Sequence, residues 1–126
     1  MKLNIKLKNF QMLLLLEMLK NFEYKENHEP TQKKIDNLVL INLNSFYNTN
    51  IKYFISPTVV KNKSKVFKVD VNHYASLYNF ILQNSTEIDG YFVHLIIYIE
   101  QQIQPQIENY KTTILNHNYD KYYFAG

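Results

Sequence analysis

Leu3, Ile5 and Leu7 alternate with polar residues, and Phe10, Leu13, Leu14 and Met18 then follow at helical spacing. The same rhythm returns 64 residues later, where Phe67, Val69 and Val71 alternate and Tyr74, Leu77, Tyr78 and Leu82 follow. A change of period from two to about 3.6 marks a strand that feeds a helix. The pattern predicts strands at residues 2–8 and 66–71, each backed by a helix, at 10–24 and 72–83. Only Leu13 and Leu77 are identical in this alignment, so the repeat is one of form rather than of sequence.

Between the two units, Thr31 opens a helical pattern with Ile35, Leu38, Val39, Leu43, Phe46 and Tyr47 as its inward stripe. Asn42, Asn44 and Asn48 weaken that helix, which leaves a strand at 37–43 as the rival reading. Residues 25–30 and 84–90 are polar loops, and Lys61–Lys65 reads as a solvated turn. Phe92, Leu95, Ile96, Ile99, Ile103, Ile107, Tyr110 and Ile114 keep a helical period across Pro105, which predicts one helix kinked at the proline. A buried strand at 91–99 is the competing assignment, since short apolar runs fit both. The tail, 118–126, is aromatic and polar and is expected to be mobile.

The expected fold class is α+β: a helix-dominated single domain, 1–126, with pseudo-repeat halves 1–63 and 64–126. A chain of 126 residues has room for one core and little more. Two glycines and three prolines leave few breakers, in keeping with long helices. Nineteen aromatics without tryptophan imply a core built from Phe, Tyr, Leu and Ile, with the eleven tyrosines at its rim, where the hydroxyls reach water. Sixteen asparagines, together with fourteen lysines and no arginine, have the look of an AT-rich genome, as in some bacteria, phages and plasmids.

Several chemistries are excluded or unsupported. Without cysteine there are no disulfides, thiol nucleophiles or thiolate metal sites. With only Gly90 and Gly126, phosphate-cradling loops are absent. His28, His73, His94 and His117 form no ligand spacing on one helical face, so no metal or other cofactor is expected. Glu17 lies inside an apolar helical run and Glu100 flanks another, which invites a catalytic reading; a helix-surface role is the simpler one. The expectation is a protein that is not an enzyme. Gln11 and Glu17 interrupt the early apolar run and no small-residue cleavage site follows, so neither secretion nor membrane insertion is expected and the location is read as cytoplasmic.

Charge is uneven. Residues 1–63 carry ten lysines and five acids, whereas 64–126 carry four lysines and six acids. No acid occurs between Asp36 and Asp70, an interval that holds Lys52, Lys61, Lys63, Lys65 and Lys68 beside Tyr53, Phe54 and Phe67. Tyr119, Tyr122, Tyr123 and Phe124 make a second candidate interaction surface, because tyrosines give large contact area at low entropic cost. These features suggest a small protein-binding module that recognises another protein or self-associates. The class expectation is an accessory factor or inhibitor of a bacterial or mobile-element system, for instance an anti-defence inhibitor masking a partner surface. The alternative is a nucleic-acid-associated protein gripping phosphates with the lysine-rich stretch.

Overall fold

The period-two and period-3.6 segments become, in order, β1 (Lys2–Lys8), α1 (Asn9–Asn21), α2 (Pro30–Ile51), a 3-10 turn (Lys52–Ile55), β2 (Ser64–Asp70), α3 (Val71–Gln83) and α4 (Gly90–Phe124). This computed structural model describes residues 1–22 and 30–124, with side chains at 1–22 and 38–109. The architecture is α+β and helix-dominated, with one two-stranded antiparallel sheet. The loop expected at 25–30 lies, apart from Pro30, outside the described residues.

The two strand–helix units adjoin across the sheet. Each is a seven-residue strand running directly into a thirteen-residue helix. From Lys2 to Ser64 and from Asn9 to Val71 the offset is 62 residues. The hydrophobic alternation placed it at 64, because a slip of two residues keeps every strand side chain on the same face. Helix starts fix what strand alternation leaves free.

β1 pairs with β2 in the register Leu3↔Val69, Ile5↔Phe67 and Leu7↔Lys65. Leu3, Ile5, Leu7, Phe67 and Val69 are buried and meet Met12, Leu15 and Leu16 of α1 and Tyr74, Leu77 and Ile81 of α3 in one continuous core. Phe46 of α2 and Ile96, Ile99 and Ile103 of α4 complete it. Leu14 is 37% exposed, so α1 is not enclosed on all sides even though residues 12–16 are all apolar.

Asn9 does not cap α1. The cap position is Lys8, whose backbone N–H donates to Gln11 Oε1 at 2.9 Å. Asn9 is instead buried, with its amide donating to the Val60 carbonyl at 2.8 Å. It thereby ties the loop before β2 to the start of α1. Asp70 caps α3 by accepting from the Asn72 N–H at 2.8 Å, and this bond holds its carboxyl below the ordinary aspartate range.

The strand considered at 37–43 is part of α2, and 91–99 is part of α4, which continues through Pro105. Two asparagines in α2 are absorbed by hydrogen bonds: Asn42 donates to Ser76 Oγ of α3 at 2.9 Å, and Asn50 to the Phe46 carbonyl one turn earlier at 2.7 Å. A helix tolerates such residues when their polar groups are satisfied.

The free edge of β1 is closed by two glutamines of α4. The Gln106 amide accepts from the Asn4 N–H and donates to the Asn4 carbonyl, both at 2.8 Å. Gln102 does the same at Lys6, at 2.8 and 2.9 Å. Residues four apart on a helix rise about 6 Å, close to the roughly 6.8 Å between alternate residues of a strand. The two side-chain amides therefore stand in for a third strand. Among the described residues no helix is long and apolar enough to cross a membrane.

Candidate functional site

Alternation that buries Leu3, Ile5 and Leu7 must send Lys2, Asn4, Lys6 and Lys8 to the other face of the sheet. On β2 the same rule sends Ser64, Val66, Lys68 and Asp70 there. The register sets Lys2 opposite Asp70, Asn4 opposite Lys68, Lys6 opposite Val66 and Lys8 opposite Ser64. No lysine directly faces another, an arrangement that avoids the strongest cross-strand repulsion. Lys68 lies diagonally between Lys2 and Lys6. Among the described residues, four exposed lysines of the two strands thus share one small face with one strand acid, Asp70, at its corner. Val66, 51% exposed, stands among them.

The basic field continues past the strand ends. The Asn9 N–H donates to the Lys63 carbonyl at 2.9 Å and the Phe10 N–H to the Lys61 carbonyl at 3.0 Å, which brings these two exposed lysines alongside the start of α1. Of the five lysines singled out in the sequence, the fold places Lys68 on the sheet face and Lys61 and Lys63 at its end. Lys52 is exposed on the 3-10 turn. Lys65 points to the opposite side, its Nζ 3.4 Å from the centre of the Tyr53 ring and 5.2 Å from that of Phe67.

The sequence alone does not mark Lys2, Lys6 and Lys8 as interaction residues. Their signal was available in the polar half of the first alternation, but only the pairing with β2 joins it to Lys68. The aromatics of the same interval lie apart from this face. Tyr53 meets Phe67 edge-on at 5.9 Å and Phe54 stacks on Phe67 at 6.5 Å, both on the core side. The side chains of Tyr119, Tyr122, Tyr123 and Phe124 lie outside the described residues, although the α4 backbone extends to Phe124.

The residues weighed for catalysis are dispersed. Glu17 is exposed on α1, and Glu100 accepts from the Tyr74 hydroxyl and from the Gln104 amide. Burial, and then the bond to Glu100, push the Tyr74 hydroxyl well above the ordinary tyrosine range. Among the described residues no group of three or more His, Asp or Glu side chains is placed to hold a metal ion. His28 and His117 lie outside the described side chains. A cleft of about 320 Å³ opens between the end of α1, α2 and α3, lined by Leu19, Phe22, Val39, Leu43, Tyr47 and Phe80.

Comparison with protein-family models, with curated proteins and with solved structures returned no match to this chain.

Proposed function

We propose that this chain is a small, non-catalytic protein-binding module that docks its lysine face on an acidic surface of another protein and masks it. The observation that carries the reading is the convergence of Lys2, Lys6, Lys8 and Lys68 on one exposed sheet face with one strand acid. Unpaired like charges cost stability through mutual repulsion, and an acidic partner relieves that cost while steering encounter. An accessory or inhibitory role in a bacterial or mobile-element system fits a module of this size, an anti-defence inhibitor acting in the cytoplasm being the concrete case.

Phosphate binding would use the same lysines. Against nucleic acid stands the inward placement of Tyr53, Phe54 and Phe67, which takes these three rings away from the lysine face and leaves Phe10, 6.0 Å from the Lys8 ammonium, as the aromatic beside it. The chain also lacks arginine, the usual bidentate reader of guanine.

Co-precipitation from the native host, with wild type beside a Lys6→Glu/Lys68→Glu double variant and after nuclease treatment, tests the reading. A protein held by wild type and lost with the double variant supports it. Retention only while nucleic acid is intact, or equal retention by both chains, overturns it.

A further inference from the structure

The backbone groups of Asn4 and Lys6 point at α4, so in an antiparallel pair the odd-numbered residues of β1 face β2. The flanking bonds, Val71 N–H to the Met1 carbonyl and Asn9 N–H to the Lys63 carbonyl, keep the same parity. On β2, Phe67 and Val69 therefore bond inward, and the N–H and C=O groups of Val66 and Lys68 point away from β1. Among the described residues they have no hydrogen-bond partner. The sheet thus has one edge closed by a pair of glutamine amides and one edge open.

We infer that the open edge of β2 accepts an extended, acidic segment of the partner protein as a third strand. This deepens the reading above and rests on it. An added strand would pair its backbone with Val66 and Lys68 and lay every second side chain over the sheet face beside Lys68, Lys6 and Lys2. Acidic residues at those alternate positions complement that charge. Val66, 51% exposed, offers apolar contact beside it.

A second copy is the poorer occupant. Pairing β2 with its own equivalent merges two lysine faces into one sheet surface, and the α4 glutamines that could close the edge from the side already hold β1.

The test uses a synthetic ten-residue peptide of alternating Glu and Val, with blocked ends, titrated into the full chain at low salt. Amide exchange at Val66 and Lys68 is expected to slow at least tenfold on binding, and added salt is expected to weaken affinity. The Val66 N–H has no partner among the described residues, so Val66→Pro leaves the existing ladder intact and should bind the peptide at least tenfold more weakly. A peptide N-methylated on the edge facing β2 keeps its charge and should lose affinity equally, which covers the case of a misfolded proline variant. Equal binding of the N-methylated and plain peptides, or no peptide binding at all, overturns strand addition. If Lys68→Glu still abolishes that binding, docking on the lysine face stands without strand pairing. Preference for a single-stranded oligonucleotide over the peptide overturns both readings.

Discussion

Ile5 and Phe67 face each other at the centre of the two-stranded sheet, and they are also equivalent positions of the two strand–helix units. An approximate two-fold therefore passes through this pair: Leu3↔Val69 on one side matches Leu7↔Lys65 on the other. Most of the symmetry-related positions are alike in character, as with Met12 and Tyr74 or Leu15 and Leu77, all buried. Two departures matter. Lys65 occupies the place that Leu3 holds in the first unit, and α4 covers the edge of β1 but not that of β2.

The first departure predicts a measurable coupling. With its ammonium 3.4 Å from the Tyr53 ring centre, Lys65 covers the aromatic group that seals Phe67 while its charge stays within reach of water. A double-mutant cycle of Lys65→Ala and Tyr53→Leu, read by urea denaturation, should return a coupling of about 0.5–1 kcal/mol. Additive effects would show that the contact contributes nothing.

The second departure can be probed through the α4 amides. Gln102→Ala and Gln106→Ala remove the groups that pair with Lys6 and Asn4, at an expected cost of about 1 kcal/mol each. Hydrogen exchange should quicken at Asn4 and Lys6 and hold at Leu3, Ile5 and Leu7, which bond to β2. Faster exchange at both sets would mean that α4 supports the sheet by packing alone.

How far this arrangement could be read in advance depends on the range of the interaction. The helix and strand of each unit follow from local periodicity, and β1 was placed at its observed bounds because Leu3, Ile5 and Leu7 are bracketed by lysines. The offset of the repeat and the use of Asn9 as a tether depend on contacts between segments more than fifty residues apart, whereas the inward turn of Lys65 follows the alternation of β2 and is held by Tyr53 and Phe67. Gln102 and Gln106 read locally as ordinary polar positions on α4. Nothing within α4 announces that they close a strand a hundred residues away. The lysine face was half legible for the same reason: its two rows come from strands that only the register brings together.

Tyr74 links α3 to α4 through Glu100, and its response to pH has a definite sign. Tyr74→Phe should cost about 1–2 kcal/mol at neutral pH, since it removes this bond and leaves the Glu100 carboxyl short of a donor. Above about pH 10 the unfolded chain releases this proton while the folded chain retains it, so the wild type loses stability as pH rises. The gap between wild type and variant should therefore narrow in urea titrations at pH 11 relative to pH 7. A constant gap would place the hydroxyl outside the titrating set.

Asn9 offers the sharpest test of the link between α1 and the loop that carries Lys61 and Lys63. Its amide donates to the Val60 carbonyl, while its Oδ1 is buried without a partner among the described residues. Asn9→Ala removes one bond but also relieves the unsatisfied oxygen, so the two contributions oppose and the net change should stay within about 1 kcal/mol. Asn9→Asp keeps the shape and turns the donor into an anion aimed at a carbonyl, which should cost about 3 kcal/mol or more at pH 7. A carboxyl so placed is harder to ionise folded than unfolded, so its folded pKa lies above the usual value of about 4. The deficit of Asn9→Asp should therefore shrink as pH falls towards 4, where the protonated group can again donate to Val60. Denaturation of wild type and Asn9→Asp at pH 4 and pH 7 measures this, and a deficit that does not change with pH would mean that residue 9 meets solvent.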